Sequence, residues 1–152
     1  MTKIKQINRR EFLEKSGAGI LGSVLAISIG AGCAITKTYR SSVQNGRIVI
    51  ETRQHPELLI AGGSIIIEPD GMLGPIILIN TDGKTFNAVS AVCAHMGCTV
   101  GVTKNFFLCP CHGSTYDLEG KVVRGPAAKS LYKFKTEVEN GTISIIIDSG
   151  KQ

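Results

Sequence analysis

The 152-residue chain has no tryptophan, only 5% aromatic residues and only 19% charged ones. Its charged fraction lies below the globular average of about 25%. A chain kept disordered by charge needs high net charge and few apolar groups, whereas 43% of this one is apolar. No lysine and arginine stripe interleaved with aromatics runs through the body, so nucleic acid is not an expected partner. Helical periodicity is missing beyond residue 37, as are internal repeats and low-complexity tracts. The length suits one domain and excludes a large multidomain enzyme. What the chain does have is 18 glycines and five cysteines. Five is odd, so at most two pairs form and one cysteine is left over.

Net charge is +5, and residues 1–15 hold +3 of it. Residues 16–36 then carry no charged side chain over 21 positions. As a helix that run would be about 31 Å long, which matches the hydrocarbon core of a bilayer. A charged head before an apolar run reads as an export signal or membrane anchor over residues 1–36. The head, Asn8-Arg9-Arg10-Glu11-Phe12-Leu13-Glu14, resembles a twin-arginine export signal and departs from it at Asn8 and Glu14. That pathway moves folded proteins, so a cofactor inserted before export is expected. Cys33 ends the run behind Gly30-Ala31-Gly32, which resembles a lipoprotein cleavage box. Either Cys33 is lipidated or the run is an uncleaved anchor, with the anchor slightly favoured; both readings tether the protein to the cell membrane. The domain is then expected on the periplasmic, extracytoplasmic side.

Residues 37–46 are polar and read as a linker. From Arg47 onward, short β-rich runs alternate with turn signals such as Gly62-Gly63, Pro69-Asp70-Gly71, Asp82-Gly83 and Glu119-Gly120. Asn140-Gly141 is the strongest hairpin signal, because it supplies the positive φ angles of a type I′ turn. Residues 47–152 are therefore expected to be all-β, a sandwich or partly open barrel preceded by a hydrophobic helix. His55, beside Pro56, is expected at the surface.

Four cysteines and two of the three histidines fall within twenty residues. They form two tight groups, Cys93-Ala94-His95-Met96-Gly97-Cys98 and Cys109-Pro110-Cys111-His112-Gly113-Ser114. A disulfide framework alone leaves both histidines unexplained. A thioredoxin-like site wants Cys-x-x-Cys, and Cys109-Pro110-Cys111 is one residue short. Structural zinc remains a rival, since two cysteines and two histidines are a zinc ligand set.

Cys93-x-His95 with Cys109-x-x-His112 resembles the binding motif of Rieske iron–sulfur proteins, in which two histidines replace two cysteines on one iron of a [2Fe–2S] cluster. The likeness is close from about Ala88 to Ala127, within the expected cluster-binding subdomain, about residues 88–128, of a Rieske-type antiparallel β-sandwich. It implies that Cys93 and Cys109 bind one iron and His95 and His112 the other. It further implies a Cys98–Cys111 disulfide, as in the high-potential branch found in cytochrome bc complexes. Ser114 and Tyr116 match residues that donate hydrogen bonds to a bridging sulfide and to a ligand sulfur. Such donors stabilise the reduced state, so the potential is expected in the upper part of about −150 to +300 mV. Gly125-Pro126-Ala127-Ala128 resembles a proline loop covering the cluster, with Ala128 where a second proline is usual. Met96 matches a tip position that is often leucine.

The resemblance implies a one-electron carrier rather than an enzyme alone. The first expectation is the iron–sulfur subunit of a membrane quinol-oxidising complex that passes electrons to a cytochrome. The second is an electron-transfer subunit of another exported oxidoreductase, of the arsenite-oxidase kind. A zinc-binding structural module is the third.

Overall fold

A computed structural model describes residues 36–148 apart from residue 73. The hydrophobic helix expected before residue 37, and Cys33, lie outside the described residues.

The body is all-β, as its short, glycine-punctuated runs predict. Its strands are β1 (Lys37–Ser41), β2 (Arg47–Glu51), β3 (Ser64–Pro69), β4 (Ile76–Asn80), β5 (Phe86–Ser90), β6 (Gly101–Val102), β7 (Phe107–Leu108), β8 (Thr115–Tyr116), β9 (Val122–Arg124), β10 (Lys133–Glu139) and β11 (Thr142–Ile146). Two short 3-10 turns, Thr52–Gln54 and Pro56–Leu59, follow β2.

Seven strands form one sheet in the order β1-β3-β4-β5-β10-β11-β2. β10 serves two partners: Lys133 and Phe134 pair with β5, and the rest pairs with β11. The sheet turns at β10 and folds onto itself. Ile48, Ile50, Ile143 and Ile145 from one half share a core with Ile65, Ile67, Ile76 and Leu78 from the other. This makes the sandwich, because each half hides its apolar face against the other. The Asn140-Gly141 hairpin forms as expected, with φ angles of 48° and 79°.

β4 is buried at all five positions. Its unbroken run Ile76-Ile77-Leu78-Ile79 is what a strand covered on both faces requires. Ile76 and Leu78 face the first core. Ile77 and Ile79 face a second core with Val89, Phe107, Tyr116 and Leu131. A small sheet in the order β6-β7-β8-β9 covers that second face and carries the cysteine and histidine loops.

Two expectations need correction. Residues 37–46 are not simply a linker, since β1 pairs in parallel with β3 from Lys37↔Ile65 to Ser41↔Pro69. Its polar composition hid it because an edge strand keeps much of its side-chain surface in water. Asn45-Gly46, inside the same stretch, makes a turn with φ angles of 51° and 70°. His55 is buried, at 8% exposure, rather than on the surface. The ring of Tyr39 covers it edge-on at 4.4 Å, and the Tyr39 hydroxyl donates to Glu57 Oε1 at 2.8 Å.

On the outer face of the hairpin, Glu137 lies between Lys135 and Arg47. Hydrogen bonds from Lys135 and Arg47, with their charges, push its carboxyl down to about 2 from 4.5. A depressed carboxyl stabilises the fold above its unfolded value and loses that effect as pH falls through the folded one. Wild type should therefore lose stability relative to E137Q between about pH 4.5 and pH 2. Acid denaturation of both proteins checks this, and parallel curves would contradict it.

Candidate metal centre

β5 leads out of the base sheet into the first loop, where Cys93 is 2% exposed. β7 leads into the second, where Cys109 is 1% exposed. Both loops close in the same way. The Cys93 N–H donates to the Cys98 carbonyl at 2.8 Å, and the Gly97 N–H donates back to the Cys93 carbonyl at 2.9 Å. In the second loop the Cys109 N–H donates to the Ser114 carbonyl at 2.8 Å, and the Gly113 N–H returns to the Cys109 carbonyl at 3.0 Å. Gly97 and Gly113 adopt φ angles of 77° and 76°, conformations that favour a residue without Cβ. Two copies of one turn thus put a cysteine at the base of each loop and a histidine further out.

The four expected residues come together. The rings of His95 and His112 stand 4.8 Å apart, nearly perpendicular, and both residues are exposed. Cys93 and Cys109 are free thiols behind them. Cys98 and Cys111 are joined by a disulfide that ties one loop to the other. The sulfurs of Cys98, Cys109 and Cys111 lie within 4.8 Å of one another. Two of these belong to the disulfide, so only Cys109 of that trio has a free sulfur. The usable donor set is therefore two buried thiols and two exposed imidazoles, which fits an iron–sulfur centre with unlike halves.

Tyr116 is fully buried beneath the loops. Its hydroxyl lies 3.2 Å from Cys93 Sγ and accepts the Ala94 N–H at 3.3 Å. Burial first, then its bond to Cys93, pushes the phenol up to about 12, so it stays protonated and donates. Burial alone would push the Cys93 thiol up. Hydrogen bonds from Tyr116, the His95 backbone, Cys109 and Ser114 outweigh that and hold it below its ordinary value, which favours the thiolate that binds metal. Ser114 is also fully buried, and its Oγ accepts the Ala127 N–H at 3.0 Å. That bond fastens the Gly125–Ala128 loop to the second cysteine loop. Met96 is 70% exposed at the outer tip.

Tyr116→Phe removes one donor to a sulfur and leaves the rest of the ring in place. A hydrogen bond to a charged group contributes about 1.5–3 kcal/mol, of which the part that differs between redox states moves the potential by roughly 59 mV per 1.4 kcal/mol. The variant should titrate tens of millivolts lower than wild type. An unchanged potential would remove Tyr116 from the set of tuning residues.

One contributor escaped the sequence reading. Asn87, on β5, is buried, and its Nδ2 donates to the Leu118 carbonyl at 3.2 Å and to Glu119 Oε1 at 2.7 Å. Glu119 also pairs with Lys133. This network pins the β8–β9 turn to the base sheet. Asparagine inside a strand pattern ordinarily signals a turn, so the pattern offered no warning.

A family model described as a Rieske [2Fe-2S] domain matches residues 61–135. The cytochrome b6-f complex iron-sulfur subunit of Chlorobaculum tepidum is 30% identical over 148 residues, covering 91% of this chain and 75% of that protein. The cytochrome b6-f complex iron-sulfur subunit 1 of a Nostoc species is 47% identical over 70 residues, covering 45% of this chain. The match spans 39% of that relative's own length. Among solved structures, the ferredoxin of carbazole 1,9a-dioxygenase from Nocardioides aromaticivorans shares the fold, with a TM-score of 0.52 at 19% identity, over 66% of this chain and 95% of that one.

Proposed function

The chain belongs to the Rieske [2Fe–2S] family, and on that premise we propose that it is the iron–sulfur subunit of a membrane quinol-oxidising complex of the cytochrome bc type. The observation that carries this reading is the asymmetry of the site: two buried thiols behind two exposed imidazoles 4.8 Å apart. When bound, the [2Fe–2S] cluster supplies a one-electron carrier. Cys93 and Cys109, buried with Phe107, Tyr116 and Ala127, would hold its inner side. His95 and His112, both exposed, would hold its outer side.

Each imidazole has two ring nitrogens, so one would be available as a ligand and the other to a partner. An exposed imidazole would offer a quinol hydroxyl a proton acceptor, which buried thiolates could not provide. Hydrogen bonds from Tyr116 and Ser114 to the Cys93 sulfur would stabilise the more negative state and so poise the centre to accept electrons. The names of the relatives support a cytochrome-containing membrane complex as the partner. Residues 1–36 would tether the domain on the extracytoplasmic side, with Cys33 as either a lipid attachment point or an anchor residue. Mass spectrometry of the mature N-terminus distinguishes the two.

The test is a redox titration of membranes followed by EPR, with and without a quinone-site inhibitor. A Rieske-type signal whose shape responds to the inhibitor is expected. A signal indifferent to it, in a protein that co-purifies with a different catalytic subunit, would overturn the quinol assignment.

A further inference from the structure

The sheet end away from the metal loops carries an apolar tip that electron transfer does not use. Leu59 and Ile60 are consecutive aliphatic residues, 61% and 65% exposed. They are not slack. The Gly63 N–H donates to the Ile60 carbonyl at 3.0 Å, the Gly62 N–H to the Asn80 carbonyl at 2.7 Å, and Asn80 Nδ2 to the Leu58 carbonyl at 2.8 Å. A Cβ on Gly63 would collide with the Glu57 carbonyl, so the loop is wound tightly on itself, and its bonds with Asn80 fasten it to β4.

The same end receives the chain from its N-terminal side. Lys37 stands opposite Ile65, five residues beyond Ile60, and β1 is clasped to the Pro56–Leu59 turn by the Tyr39–Glu57 bond. β1 is parallel to β3, and β3 and β5 both run antiparallel to β4. β1 therefore runs in the direction of β5, which leads to Cys93. Residue 37 is thus at one end of the sheet and the metal loops are at the other. The residues just before it, 16–36, carry no charge. Lys37 and Lys84 sit at this end too, while the Asp82 carboxylate is turned inward onto the N–H groups of Lys84 and Thr85.

We propose that the Leu59–Ile60 tip docks into the headgroup–acyl boundary of the bilayer that anchors the chain, as a second, reversible contact beside the tether. Exposed aliphatics on a hydrogen-bonded loop, with lysines at the same sheet end where residue 37 joins the domain, match the chemistry of an interfacial anchor. In the docked state the metal loops face away from the lipid. That orientation suits delivery of an electron outward, and contact with a quinol in the bilayer then requires the tip to let go. The inference rests on reading residues 16–36 as a membrane tether.

The lack of native tryptophan makes the test direct. Leu59→Trp places a single fluorophore at the tip of the full chain, and Val123→Trp places one on β9, at a residue 67% exposed in the small sheet. Each variant is reconstituted into phosphatidylcholine vesicles with plain or brominated acyl chains, and the Rieske EPR signal checks its fold. Brominated lipid should quench most of the L59W emission and little of the V123W emission. Adding Ile60→Glu to L59W should relieve the quenching. If the chain floats with the vesicles but L59W is quenched no more than V123W, the tip does not dock. If the chain fails to float at all, the tether reading fails and the docking proposal falls with it. I60W serves as the reporter should L59W misfold.

Discussion

Cys109→Ser is expected to abolish cluster binding, with loss of the visible absorption and of the EPR signal. Cys109 is 1% exposed, and its backbone is fixed by the bond from its N–H to the Ser114 carbonyl. Serine would fit the space, but its hydroxyl does not ionise near neutral pH, so the ligand is lost while the shape is kept. Metal-binding free energy is folding free energy for a small site, so the consequence spreads. The strands of the small sheet are two or three residues long and bury little by themselves. Amide exchange over residues 93–128 should rise by orders of magnitude. The first core, built from β2, β3, β4 and β11, should remain protected. A C109S protein that retains the full cluster content would refute the ligand assignment. A serine variant that loses protection in both cores alike would show that the two halves do not fold separately.

Removing the Cys98–Cys111 bridge is the second large effect. The bridge spans 13 residues, and closing a loop of about this length stabilises a fold by roughly 3 kcal/mol in the chain-entropy view. Little else joins the tips of the two loops, since each closes through its own backbone bonds. The double variant C98S/C111S should lose about 3 kcal/mol in denaturant titrations of the cluster-bearing half, with faster cluster loss on dilution. Cys111 is exposed, so a strong thiol reductant acting on wild type should have the same effect. A double variant as stable as wild type would mean that the cluster alone holds the loops together.

The two cysteine–histidine loops are more legible in the sequence than the scaffold. Cys93, His95, Cys109 and His112 stand out because few structures need two cysteines and two histidines at that spacing, whatever the fold around them. The disulfide partners follow from the same resemblance. Most of the strands are legible through apolar runs bounded by turn residues, β4 among them. β1 is not, because an edge strand needs no apolar alternation and Lys37-Thr38-Tyr39-Arg40-Ser41 has almost none. β6 and β8 are two residues long, too short for any periodicity to register. The burial of His55 depends on Tyr39 reaching it from β1, so missing the strand also meant misplacing the histidine. Asn87 is a further example of a role created by tertiary contact, since its partners lie more than thirty residues away.

The central claim is that one cluster is held by two thiolates and two imidazoles with unlike surroundings. Pulsed EPR of the reduced protein grown on nitrogen-15 histidine tests it most directly. Two nitrogen couplings are predicted, one vanishing in H95C and the other in H112C wherever those variants retain a cluster. A reduced centre without any histidine nitrogen coupling, or a purified protein that contains zinc and is EPR-silent, would contradict the account.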